Sequence, residues 1–299
     1  MNSDLKHWIN ANLQSQKGKT ILVTGGNSGI GYYAALALAK VGADVIIAGR
    51  NAKRVDQAVR DIKAEGIEGS INAGIVDLAS LKSVQEYTEQ FRTKYSRLDV
   101  LINNAGVMMP PEGATEDGFE SQFGINFIGH FALTGRLYDM LKSTPGSRVV
   151  TLSSIAHRGA QIDFDNLRLE KPYDTRREYY QSKLADIIFT LELGRRSDAK
   201  GDGVLSVACH PGFTKTELQR HLNPSILGKM TFMEAWQGAL PTLVAATGHV
   251  KSGDYFGPDG PGEMGGFPAL GVIDGAALDA AVADRLWAVG EDVTGVVFP

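Results

Sequence analysis

The 299-residue chain has one cysteine, Cys209. A lone thiol excludes an internal disulfide and any metal site built from thiolates alone, so no metal centre is expected. Cys209 itself reads as a small buried apolar residue. No run of about 18 apolar residues occurs, so no membrane-spanning helix is expected. Met1 to Gln16 is polar, without the apolar core of a secretory signal. It reads as an N-terminal extension over 1–17. Basic blocks are no longer than Arg176-Arg177 or Arg195-Arg196, and the net charge is -4. Nucleic acid or an anionic membrane would need a concentrated cationic face, so neither is expected as a main partner. There is no internal repeat and no low-complexity linker. These absences leave a soluble protein of a reducing compartment, with cytoplasmic location as the default.

What is present is alternation. Hydrophobic residues make up 43% of the chain, enough to fill a large core. Short β-branched runs at Thr20–Thr24, Asp44–Ala48, Ser70–Val76, Leu98–Asn103, Arg148–Ser153 and Val204–Ala208 alternate with helical stretches. The helical readings are Ile30–Val41, Lys53–Glu65, Ser80–Tyr95, Gly118–Leu141, Glu178–Arg195 and one around Thr231–Thr247. The strand runs are continuously apolar, as parallel strands covered on both faces require. Strands joined by helices of this length build right-handed βαβ units. The fold expected is therefore α/β: one Rossmann-type domain over 1–299, a doubly wound parallel sheet of about seven strands with helices on both faces. Asp254–Phe256 reads as the last strand. Ala276–Val289 reads as a C-terminal helix with Leu278, Val282 and Leu286 on its apolar face.

The first strand ends in Thr24-Gly25-Gly26-Asn27-Ser28-Gly29-Ile30-Gly31 and runs into a helix. Glycines let the backbone approach a pyrophosphate, and the helix N-terminus offers free N–H groups and the positive dipole end. The spacing T-G-x-x-x-G-x-G resembles the short-chain dehydrogenase/reductase family. At the end of the second strand an NAD enzyme places a carboxylate for the ribose 2′-hydroxyl. Here stands Ala48-Gly49-Arg50-Asn51. Arg50 offers a fork of donors suited to a 2′-phosphate, with Ser28 beside it, so the cofactor expected is NADP(H). An Arg solvated at a helix start is the other reading.

Two further segments carry the resemblance. Asp77-Leu78 resembles the pair that contacts adenine, and Asn103-Asn104-Ala105-Gly106 resembles the N-N-A-G segment lining the cofactor cleft.

Tyr179-Tyr180-Gln181-Ser182-Lys183 contains Y-x-x-x-K. Residues four apart share a helix face. Lys183 therefore stands beside the Tyr179 phenol and is expected to pull its pKa down from roughly 10 toward working pH. Such a group donates a proton to, or takes one from, a substrate oxygen. Tyr180 is three residues from Lys183 and reads as packing or partly exposed. The resemblance further implies that Lys183 holds the nicotinamide ribose. It makes Ser154, of the pair Ser153-Ser154, the residue that orients the substrate oxygen, with Ser153 as alternative. Asn126, in Asn126-Phe127-Ile128-Gly129-His130-Phe131, would complete a catalytic tetrad through a water, or serve structurally. His130 reads as a packed surface residue and His157 as a loop residue. His210-Pro211-Gly212-Phe213-Thr214-Lys215-Thr216 resembles the segment against the nicotinamide carboxamide. Pro211, Gly212, Thr214 and Thr216 are its candidate contacts.

The Ser154–Tyr179 interval, Ala156-His157 and Lys183-Leu184-Ala185 resemble the retinol-dehydrogenase-like branch, to which protochlorophyllide reductase is related. The resemblance runs from about Lys19 to Val297. It implies exchange of hydride and a proton with a small-molecule carbonyl/alcohol pair. Reduction of a conjugated C=C bond, or a non-catalytic NADPH sensor, are the rival readings. About 211–235 reads as a substrate-side lid, broken at Asn223-Pro224 and Gly228. Val107, Met108, Met109, Pro110, Phe213, Leu218, Leu222, Ile226, Leu227, Met230, Phe232, Met233 and Trp236 are the apolar candidates to line the substrate side, or else an ordinary packing surface. By analogy, a homodimer or homotetramer would form through the helices carrying Asn126 and Tyr179.

Overall fold

The computed structural model describes residues 2–222, 225 and 231–299. Its strands are β1 (Thr20–Thr24), β2 (Asp44–Gly49), β3 (Ser70–Ile75), β4 (Val100–Asn103), β5 (Arg148–Leu152), β6 (Leu205–Cys209), β7 (Tyr255–Pro258) and β8 (Pro268–Leu270). The main helices are α1 (Ser3–Asn12), α2 (Gly29–Lys40), α3 (Ala52–Ala64), α4 (Leu81–Lys94), α5 (Gly129–Lys142), α6 (Thr175–Lys200), α7 (Leu240–Thr247) and α8 (Ala280–Thr294). One sheet has the order β3-β2-β1-β4-β5-β6-β7-β8. The strands up to β7 pair in parallel, and β8 returns antiparallel on β7. The doubly wound α/β fold is therefore present, with one strand more than expected. The reversal of strand order lies between β1 and β4, where ligands of such sheets bind.

Continuous apolar strands arise because successive residues feed two cores. Ile21 and Val23 join the α2–α3–α7 side, whereas Leu22 joins the side of α4, α5, α6 and α8. β3 departs from this. It is an edge strand, and Asn72, Ala73 and Ile75 are exposed. The N-terminal extension also differs from a plain tail. Asn2 caps α1, and Leu5, Trp8 and Ile9 are buried on the α2 side.

Three helical readings are corrected. The helix expected from Gly118 starts at Ser121, and Gly124–Ile128 is π-helical, with the Gly129 N–H reaching the Gly124 carbonyl. The stretch 231–247 is broken into Ala235–Gly238 and α7, which has Pro241 in its first turn. At the C-terminus Asp279 caps α8 by accepting from the Ala281 and Val282 N–H groups. The helix therefore begins after Leu278, which is 66% exposed in the preceding turn. Leu286 is buried as expected and Val282 packs partly buried against the core, with Trp287 and Ala283 buried beside them.

α8 and the tail cover α5 and α6. Trp287 stacks on Phe189 and meets Phe131 and Phe298 at ring separations of 5.9, 5.1 and 4.9 Å. Residues 181–190 of α6 are buried without a break. A helix buried all round presents no face to a partner. Within the chain, α8 supplies part of the cover over this stretch of α6. Trp287→Ala is expected to cost about 3–5 kcal/mol of stability, read from urea unfolding.

Candidate active site

The residues assigned above to the cofactor, Gly26 and Asn103 apart, line one cleft of about 810 Å³, together with Ser154. β1, α2 and β4 build its floor. Gly25 has φ 66°, and a Cβ there would lie 2.9 Å from the Ala105 Cα. Gly29 has φ 56° at the start of α2. Ser28 is the N-cap of α2, yet its side chain caps no N–H. The hydroxyl and the first-turn N–H groups are thus left for an anion. Thr24 locks this floor, its Oγ1 accepting from the Asn104 and Ala105 N–H groups, both at 2.9 Å. Asn104 Nδ2 returns a bond to the Thr24 carbonyl at 2.7 Å.

Arg50 is exposed at the rim. Among the described residues it forms no ion pair, whereas Arg54 reaches Glu217 across the rim at 2.6 Å. No carboxylate ends β2. These groups suit a pyrophosphate with a further phosphate at Arg50, so the cradle fits a dinucleotide. The Thr214 and Thr216 hydroxyls, in contrast, are engaged in their own loop. Thr214 donates to the Pro211 carbonyl at 2.7 Å, and Thr216 Oγ1 accepts from the Leu218 N–H at 3.1 Å.

α6 starts at Asp174, whose carboxylate accepts from the Arg176 and Arg177 N–H groups. Its first turns carry Tyr179 and Lys183 into the cleft, and Lys183 Nζ lies 6.0 Å from the Tyr179 ring centroid. Tyr179 is only 5% exposed. Burial raises its phenol, while Lys183 and a hydrogen bond with Ser154 pull it down; the net shift is upward. Lys183 therefore acts in the expected direction, but desolvation outweighs it here. Tyr180 also reaches the cleft, accepting from Arg176 Nε at 3.2 Å.

The serine pair is divided by its partners. Ser153 Oγ donates to the Lys183 carbonyl at 2.7 Å, tying β5 to α6. Ser154 faces the cleft, its Oγ accepting from the Ala156 N–H at 3.1 Å. His157 is buried in the loop that follows. Its Nδ1 donates to the Ser154 carbonyl at 2.6 Å, and its Nε2 accepts from the Asp274 N–H at 3.1 Å.

Asn126 sits in the π-helical turn, behind Gly106 rather than in the cleft. Its Oδ1 accepts from the Val107 N–H at 2.9 Å, and its Nδ2 donates to Ser182 at 3.0 Å. His130 is not a surface residue. It is buried between the Asn126 carbonyl (2.8 Å from Nδ1) and Thr24 Oγ1 (2.9 Å from Nε2). Burial lowers its pKa to about 4, so the ring is neutral. A backbone carbonyl only accepts, which assigns the proton to Nδ1.

Asp186 was missed. It is buried beside Lys183, whose Nζ donates to Asp186 Oδ2 at 2.8 Å and to the Leu152 carbonyl at 2.9 Å. The spacing Lys183–Asp186 (i, i+3) was the available signal. Burial would lower the Lys183 pKa, but Asp186 and Tyr179 outweigh it and the net shift is upward. Cys209 is buried as expected, its thiol pushed up to about 12 by desolvation.

Met108, Met109, Phe213, Leu218, Leu222 and Phe232 line the remaining, apolar part of the cleft. Pro110, Met233 and Trp236 are not among its walls. Asn223, Pro224, Ile226, Leu227, Gly228 and Met230 lie outside the described residues. Met109 is held at φ 49° by a hydrogen bond from its N–H to Gln122 Oε1.

The model of the short chain dehydrogenase family matches residues 19–226. The chain belongs to that family. As a short chain dehydrogenase it is 42% identical to human Retinol dehydrogenase 13 over 296 residues, covering 94% of this chain and 86% of that protein. It is similar to the crystal structure of a putative uncharacterized protein from Mycobacterium Paratuberculosis, with TM-score 0.82, 37% identity, and 97% and 98% of the two chains covered. A short chain dehydrogenase from Burkholderia cenocepacia J2315, solved in complex with NADP, aligns with TM-score 0.64 at 26% identity, over 88% of this chain and 99% of that one. Family membership makes the chain an oxidoreductase of carbonyl/alcohol type, with a nicotinamide dinucleotide as its cofactor.

Proposed function

We propose that the chain interconverts a hydrophobic aldehyde or ketone and its alcohol with NADP(H), and that Tyr179 carries the proton. The observation that bears most weight is the convergence of Tyr179, Ser154 and Lys183 in the cleft that also holds the glycine floor. Arg50 after β2, in no ion pair among the described residues, and the NADP named with the Burkholderia neighbour support the 2′-phosphate form. The relation to Retinol dehydrogenase 13 and the apolar wall support a hydrophobic substrate.

The nicotinamide, when bound, supplies or accepts the hydride at the carbonyl carbon. Ser154 orients the carbonyl oxygen and stabilises charge developing on it. Tyr179 donates its phenolic proton to that oxygen on reduction and recovers it on oxidation. Lys183 holds the ribose and supports the phenolate that forms when the proton leaves.

The test is NADPH oxidation with retinal, decanal, an aromatic ketone and an enone, with product analysis. Alcohol formation from at least one carbonyl is expected, with NADH a poorer donor. Saturation of the enone alone, or binding of NADPH without turnover of any compound, would overturn the reading.

A further inference from the structure

The buried carboxylate beside Lys183 is hard to explain as a stabilising feature. Asp186 is 1% exposed. Only one of its oxygens is satisfied: Oδ2 accepts from Lys183, whereas the buried Oδ1 has no hydrogen-bond partner among the described residues. A half-satisfied carboxylate in the core is costly, and well-packed apolar residues often replace such ion pairs without loss of stability. Its position points to Lys183 instead. The ammonium has three donors. Asp186 and the Leu152 carbonyl take two of them, which leaves the third for the cleft that Lys183 lines.

We infer that Asp186 is a positioning residue that fixes the Lys183 ammonium and screens its charge from Tyr179, keeping the phenol in the protonated form used for carbonyl reduction. The inference rests on the acid/base reading of Tyr179. Among the described residues the surroundings offer no substitute for this charge, and β7 contributes Tyr255, whose phenol burial pushes well above its ordinary value and keeps neutral. Lys183 is the charged group acting on Asp186, and burial pushes the carboxyl up against that pull. β6 contributes Cys209, a neutral thiol, and α5 contributes His130, a neutral ring. β5 contributes only the Leu152 carbonyl at this point. On α6 itself, Asp186 raises the phenol that Lys183 lowers.

Removing the carboxylate while keeping its shape isolates the effect. Tyrosinate absorbance is titrated in the full chain with NADP+ bound, and the same titration of Tyr179→Phe is subtracted to cancel the other tyrosines. The pair is then repeated with Asp186→Asn. The Tyr179 transition is expected about one pH unit lower in the Asp186→Asn background. Asp186→Glu, which restores the charge, returns it toward the parent value. An unmoved transition overturns the inference. If Asp186→Asn does not fold, Asp186→Ser, which leaves room for a water beside Nζ, is read in the same way. This readout needs no substrate, so failure of the turnover screen would sink the proposed reaction without deciding the role of Asp186. A merely structural Asp186 would lower the melting temperature and leave the transition in place.

Discussion

Tyr179→Phe is expected to lower turnover about 10²- to 10⁴-fold, the usual contribution of a positioned acid/base group, while leaving NADPH binding in place. The substitution removes one oxygen from a buried ring. Lys183 keeps its bonds to Asp186 and Leu152, and Ser153 still anchors the Lys183 carbonyl, so the local frame survives. The loss therefore belongs in kcat rather than in affinity for the dinucleotide. Stopped-flow NADPH oxidation and NADPH fluorescence on binding separate the two. Equal turnover by the variant would remove Tyr179 from the mechanism.

Arg50→Asp is expected to reverse the coenzyme preference, moving the ratio of kcat/KM for NADPH over NADH by about 10²-fold. The wild-type guanidinium would contribute a charge-assisted bond worth about 1.5–3 kcal/mol, and the new carboxylate would repel a 2′-phosphate. Arg50 is exposed and unpaired among the described residues, so the change should leave stability within about 0.5 kcal/mol. Arg54 is already held by Glu217 and cannot take over without giving up that ion pair. Steady-state kinetics with both coenzymes test this. An unchanged ratio would place the 2′-phosphate elsewhere.

Residues of β1 and α2 show why much of this site was legible in advance. The turn from Thr24 to Gly31 needs glycine at left-handed backbone positions, a requirement carried by the residues themselves. The pairing of Tyr179 with Lys183 follows from helical spacing alone. The same logic misread His130. Its place in a helix was visible, but burial against Thr24 depends on a strand more than a hundred residues away. Asn126 was read as completing a catalytic tetrad through a water, or as structural. Its position behind Gly106 depends on a π turn that no local pattern announces.

By itself the sequence determined the alternation of strands and helices from β1 to β6, the glycine cradle, the absence of an acid after β2 and the Tyr179–Lys183 spacing. All of these are properties of near neighbours along the chain. Only the tertiary structure decided that α8 covers α5 and α6, that Ser153 and Ser154 face different ways, and that Lys183 is held by Asp186. It also decided that desolvation outweighs the ammonium at Tyr179. Burial is set by the atoms that distant segments bring around a group, and electrostatic balance in a dry core follows from that burial.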